Sequence, residues 1–229
     1  LIDEVLLHFL ASQRQTRLAA AVACGVTWGF ANPYRSFGIT PPEMFKGRRD
    51  MVEEIVRPQG STVVYGGRQF GKSALLRMVQ HEYHSTETGT YVLYEDIKQL
   101  GDPDGHQQAR DIWRRLRDAL ALAKIIPASS SDDPSVLKTR IIDMLRQQPQ
   151  LRVIMLFDEA DNFLDADAET NFPELQGLRQ IMDQTNRRFK VVFCGLHSVQ
   201  RFHTLPNHPF AQLGEPLVVG PLEPHAALD

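Results

Sequence analysis

VVYGGRQFGKSALL, residues Val63 to Leu76, is the stretch on which the fold turns. An apolar, β-branched run breaks at Gly66-Gly67, crosses Arg68, Gln69 and Phe70, and resumes at Gly71-Lys72-Ser73 before a helical pattern. The eight residues Gly66 to Ser73 match G-x-x-x-x-G-K-[ST] in full, with an apolar strand leading in and an amphipathic helix leading out. Glycines let the backbone curl until successive N–H groups converge on one concavity, and the helix start adds partial positive charge there. The site suits a phosphate. Lys72 would reach the β and γ phosphates, the Ser73 hydroxyl would ligate Mg²⁺, and Ala74 continues the first helical turn. Arg68, Gln69 and Phe70 belong to the loop as its variable tip, and their side chains are assigned no role.

Outward from this loop the chain alternates strand and helix. Strands are expected at Thr62–Tyr65, Thr90–Glu95, Arg152–Phe157, Lys190–Cys194 and Pro216–Val219, mostly apolar without alternation, as in a parallel sheet covered on both faces. Helical spacing joins Leu75, Leu76, Val79 and Tyr83; Ile112, Trp113, Leu116 and Leu120; Leu137, Ile141 and Leu145 after Asp133-Pro134; and Leu175, Leu178 and Met182. Ahead of the loop, Met51, Val52, Ile55 and Val56 make a short helix ending at Pro58. The pattern predicts an α/β protein: a three-layer α/β/α sandwich with a mainly parallel five-stranded sheet. Residues 1–31 read as an N-terminal helix and linker, with Ile2, Val5, Leu6 and Phe9 on one face, and residues 32–229 as the nucleotide-binding domain. Ala128 to Asp133 reads as a Ser-rich surface loop.

A second motif narrows the chemistry. Val153-Ile154-Met155-Leu156-Phe157-Asp158-Glu159 is an apolar strand ending in two acids. Asp158 at the strand's C-terminal edge suits Mg²⁺, directly or through water, and Glu159 could orient and deprotonate an attacking water. Asp161 reads as a charge favoured by a helix start; Asp165, Asp167 and Glu169 read as loop solvation. In sequence, Thr90–Glu95 falls between the phosphate loop and the acidic strand. An added strand and an adjacent glutamate together resemble the catalytic-glutamate division of P-loop ATPases. Asp102-Pro103-Asp104-Gly105 fits D-x-x-G but lies in a turn-forming run, and no N-K-x-D guanine reader follows. The nucleotide is therefore expected to be ATP or ADP.

Bulk properties set outer bounds. The chain has 229 residues, 42% hydrophobic and 23% charged, with net charge -3 and pI near 6.3. Such a balance gives no global reason for nucleic acid or an anionic membrane as partner. Basic clusters at Arg114-Arg115-Arg117 and Arg187-Arg188-Lys190 read as solvated faces or strand flanks, so nucleic acid is not favoured. Two isolated cysteines, Cys24 and Cys194, make no disulfide framework and fit the cytoplasm. Leu18 to Phe30 is too short for a membrane span, which needs ~20 apolar residues. A chain starting at Leu1 rather than Met is expected to be part of something longer. His81 and His84, without further ligands, do not predict a metal site.

Several segments together resemble one group. FKGRRDMVEEI (Phe45 to Ile55) is similar to the F-x-G-R-x-x-E box of STAND ATPases and their origin-recognition AAA+ relatives. VVYGGRQFGKSALL, VIMLFDEAD (Val153 to Asp161), VVFCGLHSVQRF (Val191 to Phe202) and PFAQLGEPLVVGPLEP (Pro209 to Pro224) extend the resemblance from about Asn32 to the C-terminus. It implies an adenine pocket at Phe45, Gly47 and Arg48 with Ile39 nearby, where Arg48 would stack on the base or pair with an acid. It also implies a γ-phosphate sensor after the fourth strand, among Gly195, His197, Ser198 and Arg201, with His197 foremost. A regulatory ATPase with ATP/ADP and Mg²⁺ as cofactors is implied, closed with ADP and self-assembling with ATP. Effector and sensor domains would lie in the same longer chain or a partner, in bacteria serving anti-phage defence or transcription control. The family's helical lid would follow Pro221-Leu222, where this sequence ends shortly after, and no arginine finger is assigned. The alternative is an AAA+ ATPase acting on DNA, of origin-recognition or transposition-helper type.

Overall fold

The computed structural model describes residues 45–104, 107–196 and 215–222. These lie in the second of two compact units, 1–44 and 45–229. The expected N-terminal helix, the linker boundary after residue 31, Ile39, His197, Ser198 and Arg201 fall outside the described residues.

Strand β1 is Val63–Gly66, β2 Thr90–Asp96, β3 Arg152–Asp158, β4 Phe189–Gly195 and β5 Leu217–Val219. Helices are α1 Arg49–Val56, α2 Lys72–Tyr83, α3 Ile112–Leu122, α4 Pro134–Gln147, α5 Asp161–Ala168 and α6 Pro173–Gln184. The five strands form one sheet in the order β2-β3-β4-β1-β5, every pairing parallel. Observed strand bounds differ from the expected ones by a single residue. In space the strand between β1 and the acidic β3 is β4, while β2, which separates them in sequence, stands at the sheet edge.

Strand alternation divides the core into two layers. Val153, Met155 and Phe157 face one way, with Val63, Val191 and Phe193, and pack against α3, α4, α5 and α6. Ile154 and Leu156 face the other way, with Val64, Val92, Val192 and Cys194, and pack against Val52 and Ile55 of α1 and Leu75, Leu76 and Val79 of α2. Burying each of these leucine or valine side chains contributes roughly 1.5–3 kcal/mol relative to exposure. Tyr94, Asp158 and Lys190 share the second parity, so they belong to the α1/α2 layer. That parity places the chemistry.

Local signals set the ends. Asp133 accepts from the N–H groups of Ser135 and Val136 and caps α4, with Pro134 in its first turn. Three sequence expectations are corrected. The segment Asp161–Ala168, expected only as a charged helix start running into loop, is the helix α5. Asp167, expected as loop solvation, is fully buried, where it accepts from the N–H groups of Glu174 and Leu175 at the start of α6. It does there what a capping side chain does, because Phe172 at the N-cap of α6 has none to offer. Burial raises its carboxyl to about 6, against the pull of those two N–H donors. Ser130, expected on a surface loop, is buried and its hydroxyl is bonded to the Pro127 carbonyl and to Arg140.

Candidate nucleotide-binding site

The phosphate loop runs from the end of β1 into α2. At Gly66 a Cβ would lie 2.2 Å from the carbonyl oxygen of Val219, so only glycine allows β5 to pair this closely. Gly71 sits at φ 78, the left-handed turn that starts α2, a conformation side chains resist. Helix geometry leaves the N–H groups of Lys72, Ser73 and Ala74 without acceptors inside α2, all at the loop. Lys72 is buried, with Nζ donating to the carbonyls of Gly66 at 3.0 Å and Gly67 at 2.9 Å. The ammonium is thus held inside the loop's curl. Ser73 is exposed beside it. The Phe70 ring lies over Gly67, where an added Cβ would meet it at 2.8 Å.

Arg48 has φ 58, left-handed like Gly47 at φ 66 before it. Its guanidinium donates 2.6 Å to the Phe70 carbonyl and 2.7 Å to the Gly220 carbonyl. It passes so near Gly71 that an added Cβ would lie 3.0 Å from Nη1. Among the described residues Arg48 therefore ties the loop tip to the exit of β5, rather than pairing with an acid. Phe45, before it, packs half-buried against the α1/α2 layer, and Gly47 is exposed.

The acidic pair emerges beside this loop. Asp158, only 2% exposed, ends β3; Ala160 N–H donates 2.9 Å to the Cys194 carbonyl and brings the following turn against β4. Both carboxylate oxygens of Asp158 are engaged. Tyr94 Oη donates to Oδ2 at 2.7 Å, and the Glu159 N–H donates to Oδ1 at 3.0 Å. The Cys194 thiol hydrogen-bonds the same carboxylate, and burial with that negative neighbour pushes the thiol well up. Burial and then the Asp158 charge likewise raise the Tyr94 phenol, which keeps its proton and remains a donor.

Glu159 occupies φ 55, left-handed for a residue with a long side chain. Such a conformation costs on the order of 1 kcal/mol and gathers at functional sites. Its carboxyl is raised above the ordinary range by burial and then by Asp158, while Lys72 and Lys98 act in the opposite sense. Lys72 and Glu159 thus feel one another across β4, although 87 positions separate them by number. The buried carboxylate of Asp158, the exposed Ser73 hydroxyl and the loop lysine Lys72, which acts on Glu159, are group types that fit a nucleotide with Mg²⁺, each matching a phosphate or a hard cation.

Two contributors carry no sequence signal. Tyr94 and Arg77, whose guanidinium lies 4.1 Å from the Tyr94 ring centroid, belong to no motif. Asp161 begins α5 as expected, yet its Oδ2 also accepts 2.7 Å from Leu196 N–H at the exit of β4. Most members of the two basic clusters are engaged within the domain. Arg114 pairs with Asp111 and Arg117 with Asp118, Arg115 donates to Gln107, and Arg188 donates to the Leu145 and Gln148 carbonyls. Lys190, expected on a strand flank, is wholly buried and donates to the carbonyls of Ile55, Arg57 and Gly60. His84 Nδ1 is engaged by the Val92 backbone. No group of three or more His, Cys, Asp or Glu side chains able to hold a metal ion occurs among the described residues, and no helix there is long and apolar enough to cross a membrane.

Comparison with known proteins agrees with this architecture. The Walker-type ATPase of Pyrococcus abyssi superposes with TM-score 0.58 at 16% identity, over 86% of this chain and 60% of that one. The ORC2 protein of Aeropyrum pernix, in ADPNP–ADP complexes, gives 0.50 at 16% identity, over 82% of this chain and 50% of that one. The chain thus spans about 60% and 50% of those proteins' lengths, and at such identities the likeness is one of fold. No curated protein matches the sequence. Residues 54–202, more than half of the chain and holding both the phosphate loop and the acidic pair, match the family model described as AAA domain. On that match, with the parallel sheet and phosphate loop it requires, the chain belongs to the AAA domain family of P-loop ATPases.

Proposed function

We propose that this chain is the ATP-binding and slowly hydrolysing switch module of a STAND-type signalling protein. One observation carries the enzymatic part of the reading. Glu159, held in a left-handed conformation beside Asp158, lies within electrostatic reach of the loop lysine Lys72. The N–H groups at the start of α2 and the Lys72 ammonium bind and orient the phosphates. Ser73 and Asp158 would hold Mg²⁺, which when bound neutralises charge on the phosphate oxygens. Glu159 orients a water and takes its proton, and the upward shift of its carboxyl makes it a stronger base for that step. Arg48 touches the loop, and with Phe45 and Gly47 it would form the base side of the site, as the resemblance implies.

The regulatory part rests on the resemblance and on Arg48. A residue that grips the loop tip at Phe70 and the β5 exit at Gly220 gives a route from nucleotide state to whatever follows β5. Bistable elements biased by a γ-phosphate and Mg²⁺ work this way. ADP would keep the module closed, and ATP would favour self-association and action on an effector, in the cytoplasm, in defence or regulation.

The DNA-acting alternative fits the fold about as well. The engagement of Arg114, Arg117, Arg188 and Lys190 in contacts within the domain supports the switch instead, since those clusters offer few free cations to a phosphate backbone.

Measurement of ATP binding and turnover tests the proposal. Lys72→Ala is expected to abolish binding, and Glu159→Gln to keep binding and lose turnover by at least about a hundredfold. A Glu159→Gln protein that hydrolyses ATP at the wild-type rate overturns the base assignment. Mass measurement with ADP and with a non-hydrolysable ATP analogue reads assembly, and DNA-stimulated, salt-sensitive turnover would favour the alternative.

A further inference from the structure

We propose that Tyr94 is a positioning residue for Asp158, and that Arg77 holds Tyr94 in that place. The inference rests on the nucleotide-binding reading and adds two residues to it that lie in neither motif.

The register of β2 on β3 puts Tyr94 opposite Leu156 and Asp96 opposite Asp158. Tyr94 is therefore two register positions short of the carboxylate it bonds, on the same face of the sheet. Residues two apart along a strand are separated by about 6.6 Å, roughly the reach of a phenol oxygen from its own backbone. A serine, threonine or asparagine at this position would be too short. With Tyr94 on Oδ2 at 2.7 Å and the Glu159 N–H on Oδ1 at 3.0 Å, the carboxylate is held at both ends. These two bonds favour one rotation of the Asp158 carboxylate, whose oxygens keep lone-pair capacity beyond them.

The ring itself is fixed from the other side. Arg77 of α2 covers its face at 4.1 Å, and Arg77 lies on the helix that begins with Lys72 and Ser73. A continuous path thus joins the helix that would hold phosphate to the carboxylate that would hold metal: α2, Arg77, Tyr94, Asp158. Groups that orient a metal's carboxylate without touching the metal commonly change its affinity ten- to a hundredfold.

The experiment uses the full chain and follows ADP binding by calorimetry, first in EDTA and then across a MgCl₂ titration. Tyr94→Phe keeps the ring under Arg77 and removes the donor. It is expected to bind ADP in EDTA within about twofold of wild type and to need about tenfold more Mg²⁺ for the metal-dependent gain. Arg77→Met is expected to move the Mg²⁺ requirement in the same direction by a smaller factor. A Tyr94→Phe protein with wild-type Mg²⁺ dependence overturns the proposal. So does one whose ADP affinity in EDTA falls as far as its affinity in Mg²⁺, since that is the mark of a structural role. Should wild type bind no ADP in either medium, the nucleotide-site reading itself fails and this inference falls with it; wild-type binding with an indifferent Tyr94→Phe sinks this inference alone.

Discussion

Asp161 accepts a 2.7 Å hydrogen bond from the backbone N–H of Leu196, so the first residue of α5 holds the exit of β4. With the Ala160 N–H on the Cys194 carbonyl, this contact closes the turn after Asp158-Glu159 onto the strand that stands between it and the phosphate loop. The spacing between the acids and Lys72 depends on that closure.

Asp161→Ala should therefore loosen the site as well as the fold. Loss of a charge-assisted bond to a backbone N–H predicts a fall of about 1–3 kcal/mol in stability, read by urea denaturation. Turnover should fall further than ATP affinity, because the phosphates bind at α2 while Glu159 sits on the loosened turn. Asp161→Asn, which keeps an acceptor oxygen, should lie between the two.

Glu159 at φ 55 makes a second prediction that separates backbone from chemistry. Glu159→Gly and Glu159→Gln both remove the carboxylate and should both lack turnover. Only glycine relieves the left-handed conformation, so Glu159→Gly should be more stable than Glu159→Gln by about 0.5–1 kcal/mol. Comparison of their urea midpoints checks it.

Arg48 spans two carbonyls, those of Phe70 and Gly220, with the two arms of one guanidinium. A lysine cannot present that fork. Arg48→Lys should behave like Arg48→Met, each losing about 1–3 kcal/mol of stability and binding ATP some five- to tenfold more weakly. Recovery of wild-type affinity by lysine would show that charge alone matters there.

Lys190 supplies a pH test away from the site. Burial, then Arg152 and Arg187, lower its ammonium from 10.5 to about 7. Between these values the unfolded chain binds the extra proton, so stability rises with pH across the window and the gain is lost as pH falls toward 7. The slope from this one group reaches up to about 1.4 kcal/mol per pH unit. Lys190→Met should abolish that slope, measured as the wild-type minus mutant difference in urea stability at pH 7 and pH 9. At pH 7 the variant should itself be weaker by about 2–4 kcal/mol, because the Ile55, Arg57 and Gly60 carbonyls lose their common donor.

The sequence by itself determined the elements whose causes are local. Uninterrupted apolar runs set the five strands to within a residue, since a strand covered on both faces needs no partner's identity to be read. Gly66, Gly71, Lys72 and Ser73 could be placed as a loop because φ and close approach limit those positions to few residue types. The short α5 escaped because acids at Asp161, Asp165 and Asp167 dilute its apolar face, and burial of Asp167 depends on α6 arriving above it. What only the tertiary structure decided is which side chains meet: Tyr94 with Asp158, Arg48 with Gly220, Lys190 with the end of α1. Each of those meetings follows from strand order and register, which are settled by the packing of the whole sheet and leave no mark in the spacing of any one segment.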